Sequence, residues 1–543
     1  MSGPKPPPKV FVREATGLVR TLGFYDSFLL NMAVVNLAGG LAYDVLQLFF
    51  FPGASLSLVF LLGGIPALGI FVVYTIFSAA FPRTGGDYVY VSRILNPAVG
   101  FAAGMLNIFG FYVFVLTGFN AWYMIYTGVP SLLTSLGAVT GMSSYSAASS
   151  YLVSQVPVAF ALSTAMLIVG ALVVLFGMDV FKWVFRVIFV FYFVSAAVLA
   201  VALFSTSHQA FVSAFESIAG SGTYANVISN AGQYGNYQFS LTQTLLAFVP
   251  LGFLTFTGFQ SSTYVGSEVR NPKKNQAMAL GLSMLITWIY LVVLAYQCEV
   301  VFGDSFLQSV SYLWGTNASA LPLTATPFVT FLVSLVYPNV ILAVLLNSIP
   351  IVGAFLLIPS TLLAASRIFF AQSFDRVLPE SMSKVNERLH SPLNSVLVMT
   401  IIAEIWVVAL YFYGYVASWL SLSLTTPVAW AITAVAAMAF PYAKRDLYER
   451  SVEVLPKWMR AKILGVPILV IGGIVQLVSM LIWIGAEFSP IITYMYLGPL
   501  IASAIGVTAG IFIISIAIYY AVRASRIRAG IDIGVAFREI PPE

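Results

Sequence analysis

Apolar residues run along this chain in stretches long enough to cross a bilayer, for which a helix needs about 20 residues, and short polar connectors separate them. The pattern predicts twelve spanning helices, in windows 24 to 50, 55 to 81, 98 to 128, 153 to 176, 179 to 205, 242 to 265, 276 to 302, 327 to 366, 392 to 413, 416 to 441, 465 to 488 and 493 to 523. Two of these runs are interrupted. Asn36, Gly39 and Gly40 fall in the middle of the first, and the sixth loses its apolar character from Phe256 through Thr257, Gly258, Phe259 and Gln260 to Thr263. Lipid cannot satisfy the amides and carbonyls that a broken helix frees, so these must face protein, water or a bound solute. Interrupted spans at matching places in two halves of a chain point to a secondary transporter.

The ten spans within 24 to 441 divide into two sets of five, and an odd number per set orients the sets oppositely in the membrane. The expected organisation is an N-terminal arm (1 to 23), a first five-helix repeat (24 to 205), an outer loop (206 to 241), an inverted second repeat (242 to 441), an inner loop (442 to 464), helices eleven and twelve (465 to 523) and a tail (524 to 543). The fold class expected is therefore an all-α polytopic membrane protein. The outer loop reads either as a lid or as a flexible connection. Asp87 and Asp304 each follow a glycine and open short predicted surface helices, whose first-turn amides their carboxylates can cap.

Composition agrees: of 543 residues 60% are hydrophobic and 8% charged, whereas soluble domains carry about 25% charged residues. All 25 Lys and Arg residues fall at one end of the predicted bundle, which puts both termini in the cytoplasm of a multi-pass protein of the cell membrane. Cations dispersed over short loops offer no patch for nucleic acid. Cys298 is the single cysteine and lies in an apolar span as a packing residue, and both histidines lie outside the spans. Neither a metal site, a cofactor nor a catalytic constellation is expected, and the chain does not read as an enzyme. Asn317 opens an Asn-Ala-Ser triplet in an outer loop, a glycosylation acceptor pattern.

Four motifs carry a family likeness. They are Leu18-Val19-Arg20-Thr21-Leu22-Gly23-Phe24-Tyr25-Asp26 before the first span, Gly85-Gly86-Asp87-Tyr88-Val89-Tyr90 before the third, Gly258-Phe259-Gln260 with Glu268-Val269-Arg270-Asn271-Pro272-Lys273 around the sixth, and Ala365-Ser366-Arg367-Ile368-Phe369-Phe370 with Asp375-Arg376-Val377-Leu378-Pro379 after the eighth. Together the chain resembles the amino acid/polyamine/organocation permease superfamily. The resemblance implies a five-plus-five inverted repeat of the leucine-transporter type with two further helices. It also implies a site for an amino acid or related small amine between broken helices 1 and 6. Where such relatives have Gly-Ser/Ala-Gly in the first break, this chain has Leu37-Ala38-Gly39, and Gln260 replaces their acidic residue.

Candidate roles follow. Around the first break, Asn36, Ala38, Gly39 and Gly40 open a resumed helix whose free amides suit a carboxylate. Around the second, Phe256, Thr257, Gly258, Phe259 and Gln260 offer carbonyls to an ammonium and rings to shape a pocket. Asn107 and Phe111 share a face of the third span, which lines the site in relatives. For a coupling ion, Ser360 and Thr361 either offer oxygens to sodium or bond the carbonyl one turn back. Glu404, about 18 Å into the ninth span by its helical rise, costs on the order of 3 kcal/mol if ionised. It is either a titrating group or a protonated structural one. Asp26, Arg93, Glu268 and Arg270, with Arg20, are candidates for an inner gate. Proton coupling, sodium coupling and exchange stay open, as does oligomeric state. A solute-gated channel or a non-transporting sensor on the same fold are the competing readings.

Overall fold

A computed structural model describes residues 17–323, 326–414, 422–453, 455–490 and 501–537. The arm up to residue 16, residues 324–325, residues 415–421 with the predicted start of the tenth span at 416, residue 454, residues 491–500 with the predicted start of the twelfth at 493, and the tail beyond 537 lie outside the described residues. Among the described residues, eleven helices are long and apolar enough to cross a membrane. They run Phe24–Phe50, Leu56–Ala80, Pro97–Thr140, Val156–Leu175, Met178–Phe204, Pro272–Phe302, Val340–Phe374, Leu393–Phe412, Leu424–Ala443, Ile468–Glu487 and Ala502–Arg528. The sixth predicted run is missing from this set because its apolar helix, Leu241–Phe253, ends where the polar stretch begins. The fold is nearly all helical; the exception to all-α among the described residues is a hairpin pairing Lys462–Ile463 with Val466–Pro467.

Two boundaries moved for local reasons. The third span continues to Thr140 through wide π-helical turns at Asn107–Gly118 and Met124–Gly128. Such turns are rare and concentrate at functional sites. The predicted eighth span is two helices, Val329–Val336 and a longer one from Val340. Pro338 interrupts the ladder, and the Asn339 side chain restarts it by accepting from the Ile341 and Leu342 amides.

The second span packs against the seventh and the eleventh, and the eleventh against the tenth. Small residues let backbones approach in lipid, where burial alone gives helices little reason to associate. A Cβ on Gly69 would lie 2.7 Å from the Gln476 amide nitrogen, and one on Gly472 would lie 2.6 Å from Val72 Cγ1.

The outer loop carries two helices, His208–Ala219 and Thr223–Asn230. Phe211 and Phe215 bury their rings beside Phe306, and Tyr224 Oη donates to the Phe302 carbonyl at 2.8 Å. The helices Asp87–Ile94 and Asp304–Thr316 form as predicted, but the first is not a surface helix. Every residue in it is buried, and the Asp87 carboxylate faces the interior instead of capping amides.

Candidate functional site

Both interruptions are backbone departures. In the first span the helix stops at Val35, Asn36 adopts φ 53° and ψ 55°, and a new helix runs Leu37–Asp44. Asparagine tolerates this left-handed conformation better than most side chains. The Leu37, Ala38 and Gly39 amides then have no acceptor within their own helix, while the Gly40 amide donates to the Asn36 carbonyl at 2.9 Å. The Asn36 side chain caps none of them: it lies over Gly39, where a Cβ would come within 2.5 Å of Oδ1, and that oxygen accepts from Tyr192 Oη at 2.9 Å in a slot where a Cβ on Gly353 would lie 2.1 Å from it. The Ala38 side chain lies outside the described residues.

In the sixth span Gly258 takes φ +99°, a region that excludes most side chains. A tight turn from Phe256 to Gln260 leads into the short helix Ser261–Tyr264. Among the described residues no backbone donor reaches the Phe256 and Thr257 carbonyls. Gln260 folds back, its Oε1 accepting from the Gly258 amide at 3.2 Å, while Phe256 and Phe259 are buried.

The two breaks touch. A Cβ on Gly258 would lie 2.2 Å from Val34 Cγ1, and one on Gly40 would lie 2.8 Å from Thr255 Cγ2. Asn31 Oδ1 accepts from the Ser262 amide at 2.8 Å, and Gln276 of the seventh span bonds Ser262 at both its hydroxyl and its carbonyl. Unpaired amides of one span thus stand beside unpaired carbonyls of the other at bilayer depth, an arrangement able to hold a carboxylate and an ammonium together.

The remaining sequence candidates find their partners outside the two turns. Asn107 donates to Asp87 Oδ2 at 3.0 Å, and Phe111 packs edge-on against Trp430 with centroids 5.4 Å apart. The Ser360 and Thr361 hydroxyls donate to the Leu356 and Leu357 carbonyls one turn back, and Thr361 also meets Thr117 at 2.8 Å. Glu404 accepts from Thr164 Oγ1 at 2.6 Å, between the fourth and ninth spans. Near the ends of their spans, Glu299 is half-buried and accepts from the Ser55 and Ser57 hydroxyls, and Glu487 is buried and accepts from Trp483.

At the end of the bundle where the cations gather, the gate candidates are partnered, Arg270 by Arg20 and the other three by residues outside the candidate set. Glu268 forms a two-bond ion pair with Arg367 of the eighth span (2.8 and 3.2 Å), both side chains 1% exposed. Asp26 pairs with Arg186 of the fifth span at 2.7 Å, and Arg93 with Asp375 at 2.6 Å. Arg270 Nε donates to the Arg20 carbonyl at 3.0 Å, and the Thr21 and Leu22 amides donate to the Glu268 carbonyl, strapping the chain before the first span across the exit of the sixth. This end is closed.

Its sequence pattern alone assigns Asp87 only a capping role. Its carboxylate accepts from Tyr74 and Thr433 at one oxygen and from Tyr264 and Asn107 at the other, tying the second, third, sixth and tenth spans together. Burial pushes this carboxyl above the ordinary carboxylate range, and its hydroxyl donors oppose the shift. Asp44, Thr255 and Arg367 were also missed. A charge inside an apolar run was the available signal for Asp44, but pairing across the bundle has no signature in one sequence.

A model of the amino acid permease family matches residues 22–505. The chain is similar to the vacuolar cationic amino acid transporter 4 of Arabidopsis thaliana, 26% identical over 228 residues, covering 39% of this chain and 32% of that protein. It is also similar to the cystine/glutamate transporters of Homo sapiens and Pongo abelii, each 32% identical over 163 residues, covering 30% of this chain and 28% of theirs. The chain thus matches about a third or less of the length of these relatives.

Proposed function

From the premise that this chain belongs to the amino acid permease family, within the amino acid/polyamine/organocation superfamily, we propose that it is a secondary transporter moving an amino acid or related small amine by alternating access. Proteins of this family are transporters, not enzymes. The observation that carries the reading is the contact between the two breaks at Gly40–Thr255 and Val34–Gly258, with free amides on one side and free carbonyls on the other. In this reading the Leu37, Ala38 and Gly39 amides bind a carboxylate, and Gly40, whose own amide donates to the Asn36 carbonyl at 2.9 Å, lets the solute approach closely. Phe256, Thr257 and Gly258 accept from an ammonium, Phe259 and Phe111 shape the pocket, and Gln260 and Asn36 hold the two turns open.

The spans from 24 to 205 and from 242 to 441 form the two inverted repeats, with helices eleven and twelve outside them. One-sided cations support cytoplasmic termini, and the plasma membrane is the proposed location. The paired end is then the cytoplasmic gate: Asp26, Arg93, Glu268 and Arg270 hold it shut through Arg186, Asp375, Arg367 and Arg20. A proton or sodium gradient, or exchange, drives transport; Ser360, Thr361 and Glu404 are the coupling candidates. The relatives named as carriers of cationic amino acids and of cystine and glutamate support an amino acid substrate.

The test is uptake into proteoliposomes of purified full-length protein, with labelled amino acids and amines under imposed proton and sodium gradients. Saturable, gradient-dependent uptake of at least one of them is expected. If none is taken up and none raises the melting temperature, the reading fails.

A further inference from the structure

Asp44 lies in the outer part of the first span, one helical turn beyond Gly40, and neither the family motifs nor the closed gate uses it. It is 5% exposed, and no Lys, Arg or His among the described residues forms an ion pair with it. Among the described residues its one side-chain donor is Thr255 Oγ1 at 2.8 Å. That hydroxyl lies also 2.7 Å from the Leu251 carbonyl, and its single proton serves one acceptor at a time. A carboxylate offers about four acceptor sites, so Asp44 is under-satisfied where an unpaired ion costs on the order of 3 kcal/mol.

The surroundings suit a cation. Gly40 and Asp44 share the helix face that meets Thr255, directly before the Phe256–Gln260 turn. Beside Asp44, Tyr43 keeps 40% of its surface exposed and presents its ring to that of Tyr123 on the third span, centroids 6.2 Å apart. Aromatic faces attract ammonium and guanidinium groups. Helical rise separates Asp44 from Gly39 by about 7.5 Å, the reach of an extended lysine or arginine side chain rather than a short neutral one.

We propose that Asp44 is a cation subsite of the candidate pocket, taking the side-chain ammonium or guanidinium of a basic amino acid whose α-carboxylate sits at the Leu37–Gly39 amides. The inference rests on the reading that the breaks hold an amino acid. Binding replaces the single Thr255 contact with charge-assisted hydrogen bonds, and Thr255 turns back to Leu251.

The experiment compares arginine, lysine, leucine and glutamate as substrates of full-length protein in liposomes, for wild type, Asp44→Asn and Asp44→Glu. Wild type is expected to favour arginine and lysine over leucine in kcat/KM by about 30-fold or more, the scale of a charged hydrogen bond. Asp44→Asn is expected to collapse that ratio to within a few fold, and Asp44→Glu to retain a cation preference. Leucine handled as well as arginine by wild type overturns the subsite while leaving the amino acid reading intact. So does an Asp44→Asn protein that loses leucine and arginine equally, which marks a proton site or a structural carboxylate. If Asp44→Asn does not fold, wild-type selectivity alone decides. Uptake of none of the four, nor of any other amino acid, sinks the amino acid reading and this inference with it.

Discussion

Replacing Glu268 with Gln probes the closed end most sharply. Its carboxylate holds the Arg367 guanidinium through two hydrogen bonds, and the remaining contact of that guanidinium is Ser366 Oγ at 3.5 Å. Removing one partner of a buried pair costs about 3 to 5 kcal/mol, because the other charge stays desolvated. The cost falls on the closed form alone if an open form admits water to Arg367. At about 1.4 kcal/mol per tenfold, the closed-to-open ratio then shifts by roughly 10² to 4 × 10³. Cys298 is the single cysteine and is buried, so a reporter thiol placed at the buried Thr263 reads opening against a quiet background. Maleimide labelling from the cytoplasmic side is expected to accelerate at least about tenfold in Glu268→Gln, and to slow again when Arg367→Met removes the stranded charge. A fall in melting temperature with unchanged labelling would refute the gate and leave a pair that only stabilises the fold.

Three further outcomes are expected. Gly258→Ala combines left-handed strain with a Cβ 2.2 Å from Val34 Cγ1, so it is expected to lower stability by about 1 to 3 kcal/mol and to abolish uptake; full uptake would remove the turn from the site. Gly353→Ala puts a Cβ 2.1 Å from Asn36 Oδ1 and is expected to weaken substrate affinity by displacing the first break, read as a raised KM at preserved expression. The raised carboxyl of Asp87 lets the folded protein keep a proton that the unfolded chain releases, so its contribution is present at low pH and lost as pH rises through the folded value. The melting temperature of wild type relative to Asp87→Asn is therefore expected to fall with rising pH; a pH-independent difference would show an Asp87 ionised throughout.

Hydropathy alone located most spans, because bilayer thickness sets the length of an apolar run whatever the tertiary packing. It also located both breaks, since Asn36 and Gly258 are the residue types that a left-handed turn in a membrane helix favours. Hydropathy missed what distance along the chain conceals. Asp87 looked like a surface cap because its helix is short and follows two glycines, yet donors from positions 74, 107, 264 and 433 enclose it. The partners of Glu268 and Asp26 lie about 100 and 160 residues away on other spans, and only the folded bundle selects Arg367 and Arg186 over nearer cations. Asn107 was placed by its helix face, but the π-helical turns that begin there alter the face that simple periodicity assigns.

The central claim is that the paired breaks form a carrier site that opens to one side of the membrane at a time. Counterflow tests it most directly: liposomes loaded with an excess of an unlabelled amino acid that the protein takes up are diluted into a trace of the same labelled solute. A carrier predicts transient accumulation of label above its equilibrium level, abolished in Gly258→Ala. Simple equilibration without overshoot, at rates that do not saturate, would contradict it.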